Sequence, residues 1–260
     1  MSQALGLGAI QGPTELLPVS SSGHLALVPQ LLGWDYGELD PELRKSFEVA
    51  LHAGTAAALA LALRDEVAEV LRTLDRRRLA GIALTFGPAA LVAAVFERAI
   101  EERLGSARSV ALAQLAAGIA LALADLAPAE RPYSSAGALD HLLIGCGQAA
   151  ALVPGVSRNG ATLTAARLLR FERRAASVLS RHAALPVIAG ATALKGLRLA
   201  RRGMGPELYG AFAAGAAAAF ASTLASRGLI GVIDRARSYA PFAAYRIALG
   251  AVALGRLRAR

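Results

Sequence analysis

Two polar stretches interrupt an otherwise apolar chain. The first, QGPTELLPVSSSGHLALVP (11–29), sets Gln11, Glu15, the hydroxyls of Ser20, Ser21 and Ser22, then Gly23 and His24 around Pro13 and Pro18. The second, VPGVSRNG (153–160), sets Ser157, Arg158 and Asn159 between Gly155 and Gly160, with Thr162 just beyond. A carboxylate in an apolar cavity either holds a cation or works as an acid or base. Serine and histidine within five residues supply a nucleophile and a base, or line a phosphate. An arginine fork beside the backbone amides of a helix N-terminus makes an anion site, usually for phosphate. Pooled, these groups fit phosphoryl transfer, which needs charge neutralised on phosphate oxygens and a positioned nucleophile. Glu15 with phosphate oxygens and waters would suit Mg²⁺ or Ca²⁺. Taken singly, each stretch has a plainer reading: a snorkelling Arg158, an N-cap serine cluster, Glu15 at a membrane surface, a packed His24. Those readings fit the pair poorly.

The elements around these stretches must be membrane helices. Of 260 residues 55% are hydrophobic and 18% charged, below the quarter or so of soluble domains. The formal charge of +9 would suit nucleic acid in a soluble protein, but the arginines cluster between apolar runs, as in LRTLDRRR (71–78) and RFERR (170–174). That is the pattern of membrane-protein loops, so no nucleic acid is expected. Cys146 is the only cysteine, which excludes an intramolecular disulfide and a cysteine zinc site. The N-terminal MSQALGLGAIQG lacks the charged start of a signal peptide, so insertion is expected to rely on the helices themselves. Spans of suitable length are Phe47–Leu63, Leu79–Phe96, Val110–Leu126, Ala183–Leu199, Leu208–Leu224 and Ala240–Leu254. His52 lies in the first, as a cavity-facing or a packed histidine; His141 and His182 read as structural or solvated. Residues 1–32 and 138–169 are instead half-length pieces joined at the polar stretches. Such breaks survive at membrane depth only where they are buried in protein or line a wet cavity.

The two breaks resemble each other. With Gly8 set on Gly145, Gln11 meets Gln148, Val19 meets Val156, Ser20 meets Ser157 and Gly23 meets Gly160. This predicts a duplication with pseudo-repeats of about 1–130 and 138–260 in one membrane domain, 1–260, and a midplane site at the breaks. Three spans follow each break, an odd number, so the halves come out inverted. Charge places 64–78, with five arginines, inside, along with 127–137 and 170–182; 33–45 and 97–109 fall outside. The tail GRLRAR and the pair Arg201–Arg202 then lie outside, against that tendency.

QGPTELLPVSSSGH and PGVSRNGAT resemble the two signature motifs of the bacterial undecaprenyl-diphosphate phosphatase family, also associated with bacitracin resistance. The family's first motif reads (E/Q)-G-x-T-E-F-L-P-(V/I)-S-S-(S/T)-G-H and its second P-G-x-S-R-S-G-(A/S)-T. FEVALHAGTAAALALALR (47–64) resembles the segment that follows the first motif, and the likeness covers nearly the whole chain. It implies an all-α polytopic membrane bundle with inverted repeats and two re-entrant helix-loop-helix segments, in the bacterial inner membrane, with a pocket opening on the outer, periplasmic side. It implies hydrolysis of undecaprenyl diphosphate to the monophosphate and inorganic phosphate, recycling the carrier lipid of peptidoglycan synthesis; a polyprenyl-phosphate transporter or flippase is the alternative. The implied partners are a polyprenyl diphosphate lipid and the bilayer, with a homodimer admitted. Carried over by position, the functional set is Gln11, Glu15, Ser21, His24 and Arg158, with Ser20, Ser22, Ser157 and Thr162 nearby. Gln11 stands where some members have Glu, so one carboxylate rather than two is certain; Asn159 stands where Ser is usual and still donates and accepts hydrogen bonds. Ser21, His24 and water remain open as the attacking group, with Glu15 as cation ligand or proton acceptor and Arg158 as charge clamp.

Overall fold

The computed structural model describes the backbone of residues 1–202 and 206–258; side chains between 185 and 207 are described only in part. Among the described residues the chain forms twelve α-helices and no β-strand. They are α1 (Ser2–Leu16), α2 (Ser21–Leu32), α3 (Pro41–Ala62), α4 (Arg64–Arg72), α5 (Arg76–Leu104), α6 (Ala107–Asp125), α7 (Ala138–Ala150), α8 (Arg158–Leu168), α9 (Arg173–Arg202), α10 (Pro206–Ala225), α11 (Leu229–Asp234) and α12 (Ala240–Arg258). Arg76–Leu104, Ala107–Asp125 and Leu208–Ala225 are each long and apolar enough to cross a membrane. The pair α3 and α4, bent by 67°, would add a fourth as one broken span. The chain is a multi-pass membrane protein.

Local sequence explains most boundaries. Asp40 caps α3 by accepting from the amides of Glu42 (2.9 Å) and Leu43 (3.2 Å), with Pro41 at the first helical position. Asp75 and Ser106 cap α5 and α6 in the same way. Two segments read as loops are partly helical: 64–78 contains α4, and α9 already starts at Arg173 inside 170–182. In α4 the charged residues fall on one face and the apolar ones on the other, a pattern that a count of charges alone misses. The span expected at Ala183–Leu199 falls within α9; the side chains of Arg201 and Arg202, and all of Arg260, lie outside the described residues.

Contacts between helix ends sort the connections into two faces. On one, Arg77 donates to the carbonyl of Ala136 (3.2 Å), Arg173 pairs with Asp125 (2.7 Å) and Arg181 with Glu66 (3.3 Å). On the other, Lys45 pairs with Glu101, and Gln3 donates to Asp35 (3.4 Å). The groupings match those expected from charge: 64–78, 127–137 and the start of α9 together, 33–45 and 97–109 together. The Gln3–Asp35 contact brings the start of α1 back to the end of α2. Likewise Arg131 grips Asp140 at the start of α7 through two bonds (2.8 and 2.7 Å) and the Leu169 carbonyl after α8 (3.2 Å). Each broken segment is thus a helical hairpin, and the two hairpins start from opposite faces.

Glycine lets the hairpins pack closely. A Cβ on Gly8 would lie 2.5 Å from the Gly215 carbonyl of α10, and one on Gly145 would lie 2.5 Å from the Leu84 carbonyl of α5. Leu7, Leu25, Phe47, Leu51 and Phe212 form a core around the first hairpin; Leu121, Ile144, Leu163, Phe171 and Leu179 form one around the second. Leu79, Leu91, Val95 and Phe96 of α5 face outward, as a lipid-facing surface requires.

Candidate functional site: two helix breaks meeting tip to tip

Both breaks restart their helix in the same way. Ser20 has φ 74° and ψ 98°, and Ser157, 137 positions on, has φ 69° and ψ 119°. A positive φ is uncommon outside glycine and collects at functional sites. Each serine turns its hydroxyl into the next helix and caps it, accepting from the amide of Gly23 (3.2 Å) or Gly160 (3.1 Å). A Cβ at Gly160 would meet the Arg246 guanidinium, which would have to shift from its place between the two breaks.

The tips carry complementary groups. Glu15, on the last turn of α1, meets Arg158, the first residue of α8, at 3.2 Å; their side chains are only 13% and 18% exposed. Ser21, the first residue of α2, donates to the other oxygen of Glu15 at 2.7 Å. Gln11 reaches that oxygen weakly, at 3.5 Å, and His52 Nε2 stands 3.9 Å from it. Asn159 donates to the Leu16 carbonyl at the end of α1 (2.8 Å) and accepts from Ser180 of α9 (2.9 Å). Ser22 shares a hydrogen bond with Ser20 (3.2 Å) and accepts from the Gly155 amide (3.3 Å). Thr162 is buried and bonded to Ser180 (2.6 Å), so it braces α8 against α9.

A break strands backbone carbonyls, and each needs a donor. Arg246 of α12 supplies most of them. Fully buried, it donates to Pro18 (3.3 Å) in the first break and to Gly155 (3.0 Å) and Val156 (2.6 Å) in the second. Gln114 of α6 donates to Val19 at 2.6 Å. Neither residue was expected, nor was Ser180. Arg246 had a signal: in AYRIALG it is a charge within an apolar span, as Arg158 is. The neighbouring Tyr245 stacks on His24 (centroids 5.6 Å apart, 7° between planes), and its hydroxyl is 2.7 Å from Nε2. The other nitrogen, Nδ1, contacts the Ser20 carbonyl at 2.7 Å. Both nitrogens of His24 are therefore engaged away from Ser21, whose hydroxyl turns to Glu15 instead.

Glu15, Leu16, Arg158, Asn159, Ser177, Ser180 and Arg181 line a cleft of about 510 Å³, counted out into the open space it adjoins. Leu59, Leu63, Ala184, Ile230 and Ile233 make the rest of its lining apolar. Its lining includes Leu63, which adjoins 64–78, and Arg181, which pairs with Glu66 of α4. The charge pattern sets 64–78 inside, and the resemblance sets the opening of the pocket outside. Arginines are not confined to the face that carries 64–78: Arg98, Arg103 and Arg108 flank the turn between α5 and α6, beside Glu101 on the other face, and Arg256 and Arg258 end α12 beside the end of α2.

Among the described residues no three His, Cys, Asp or Glu side chains converge, so the protein offers no cage of its own for a metal. Glu15 is the one carboxylate at the tips. The donor set fits a cation only as one whose remaining ligands are substrate oxygens and water.

The family profile described as Bacitracin resistance protein BacA matches residues 4–252. The chain is 39% identical to an undecaprenyl-diphosphatase of Pelobacter propionicus, covering 95% of this chain and 93% of the relative. It is also 39% identical to the undecaprenyl-diphosphatase of Chromohalobacter salexigens, over 96% of each chain. The same identity links it to undecaprenyl-diphosphatase 1 of Rhodospirillum rubrum, over 97% and 93%. Matched in this way over nearly its full length, the chain belongs to the bacitracin resistance protein BacA family.

Proposed function

We infer that the chain hydrolyses undecaprenyl diphosphate to undecaprenyl phosphate and inorganic phosphate, returning a carrier lipid to peptidoglycan synthesis. The observation that carries this reading is the Glu15–Arg158 pair, made at 3.2 Å by two helix breaks far apart in sequence, with the Ser21 hydroxyl on the same carboxylate. A lining of polar groups beside apolar ones suits a phosphate attached to a hydrocarbon chain.

In the mechanism we favour, the Ser21 oxygen attacks the terminal phosphorus as Glu15 accepts its proton, and the bond to the bridging oxygen breaks. Undecaprenyl phosphate leaves, and water then releases phosphate from the serine. Arg158 and the amides at the start of α8 neutralise the phosphoryl oxygens. Gln11, Ser22, Asn159 and the backbone at Gly23, Gly155 and Gly160 shape the binding surface, and Ser20 and Ser157 hold the two helix starts in place. His24, oriented by Tyr245, supports Ser20 and the first break. A Mg²⁺ or Ca²⁺ ion held by Glu15 and diphosphate oxygens would lower the negative charge that the attacking oxygen meets.

We further propose that the hairpins α1–α2 and α7–α8 are re-entrant, dip from opposite sides, and belong to inverted repeats of about 1–130 and 138–260. The matched left-handed serines and the hairpin ends on opposite faces support this. The membrane is the bacterial inner membrane, with the cleft opening to the periplasm. A homodimer is compatible with the outward apolar face of α5.

The test is phosphate release from a polyprenyl diphosphate by purified protein in detergent, with Mg²⁺, Ca²⁺ and chelator arms. Release that fails in Glu15→Gln and Arg158→Ala supports the reading. Lipid binding without release by folded wild type would overturn it in favour of a carrier.

A further inference from the structure

Arg158 is not the only guanidinium in the cleft. Arg181 of α9 lines it too, and among the described residues these two are its only cationic lining groups. Ser177, Ser180, Arg181 and Ala184 all line the cleft, the three- and four-residue spacing of one helix face. Ser180 bonds to Asn159, the residue beside Arg158, so Arg181 follows directly on a contact with the break itself. Its head turns toward α4 and α11. It donates to Asp234 of α11 (2.5 Å), to Glu66 of α4 (3.3 Å) and to Ser177 (3.1 Å).

Charge makes one arginine too few. Arg158 is already matched by Glu15, so that pair alone is formally neutral, while a diphosphate brings at least two negative charges on two phosphorus centres. We propose that Arg181 is a second anion-binding residue of this cleft, taking the lipid-proximal phosphate while Arg158 takes the terminal one. The proposal rests on the phosphatase reading. Glu66 and Asp234 hold Arg181 until the head group arrives. Arg181 is 19% exposed and the two carboxylates about a quarter, so a diphosphate displaces them by its greater charge and its paired oxygens rather than because the ion pairs are weak. His182 stands 3.1 Å from Glu66, so that carboxylate keeps a partner when Arg181 leaves it. Selectivity for diphosphate over monophosphate lipid follows, because only the former reaches both arginines.

The experiment compares wild type with Arg181→Gln, Arg181→Lys and the double variant Glu66→Gln/Asp234→Asn. KM and kcat for phosphate release are measured, together with binding of a short-chain polyprenyl methylenebisphosphonate. Arg181→Gln should raise KM and weaken bisphosphonate binding by about tenfold, the scale of one charge-assisted pair, with a smaller change in kcat. Arg181→Lys should recover part of that loss, and the double variant should lower KM because it frees the arginine. If Arg181 only braces α9 against α4 and α11, removing either side of the brace acts alike: KM would rise in both Arg181→Gln and the double variant, overturning the proposal. An unchanged bisphosphonate affinity in Arg181→Gln would overturn it too. Wild type that binds the bisphosphonate but releases no phosphate would refute the phosphatase reading, while the Arg181 comparison would still report on the anion site.

Discussion

The two breaks share a backbone and divide the chemistry. Ser20 and Ser157 adopt the same left-handed conformation, and each caps its helix through the amide three residues on. The residue after each cap differs: Ser21 in the first break, Arg158 in the second. So does the end of the preceding helix, where Glu15 faces Leu152 at the matching position. One break thus brings the carboxylate and the hydroxyl, and the other brings the cation. A fold element can be repeated for its geometry while its side chains specialise, and a site forms only where the copies meet.

If the division of labour is real, substitutions should separate the copies by chemistry and unite them by structure. The largest effects belong to the charged pair. Arg158→Ala and Glu15→Gln should each lower phosphate release by about 10³-fold, the range for removing a preorganised charge-stabilising group. Ser21→Ala comes next, with a loss of about 10²-fold or more, whereas Asn159→Ser, one residue past the matching position of the other break, should stay within about tenfold. Retained activity in Ser21→Ala would move the attack to water or His24. Gly160→Ala should destabilise more than Gly23→Ala, read as the shift in thermal midpoint in detergent. The added methyl would strike the buried Arg246 guanidinium in the first case, and only approach Ser20 Oγ at 3.2 Å in the second. The smallest effect should be shared: Ser20→Ala and Ser157→Ala should each remove about 1 kcal/mol of stability, as lost helix caps do. A large difference between those two would mean that the breaks are not equivalent in backbone terms.

Much of this was legible in the sequence. Pro18 and Gly155 marked the interruptions and the apolar runs marked the spans, because both signals are local, whereas Pro13 falls inside α1, and Gly23 and Gly160 fall in the first turns of α2 and α8. The pairing of Glu15 with Arg158 could be argued from the expense of leaving either charge alone at depth. What could not be read was which group satisfies which stranded carbonyl. Arg246 lies 91 positions from Gly155 and 228 from Pro18, and only the packing of α12 brings it to both. Arg246 nonetheless carried the same signal as Arg158, a charge inside an apolar run. His24 illustrates the opposite case: its spacing from Ser21 suggested a nucleophile and base, but its ring turns to Tyr245, set by a distant helix. Charge counting read 64–78 as a loop, whereas part of that arginine-rich stretch is the amphipathic α4, where Glu66 meets Arg181.

The most direct test of the claim that the two breaks form one site is a double-mutant cycle on Glu15 and Arg158. Phosphate release from a polyprenyl diphosphate is measured for wild type, Glu15→Gln, Arg158→Gln and the double variant. Groups 3.2 Å apart that act as a unit should be strongly non-additive, with the double variant close to the worse single one. Losses that simply multiply would mean that the two residues act independently, and would contradict a shared site.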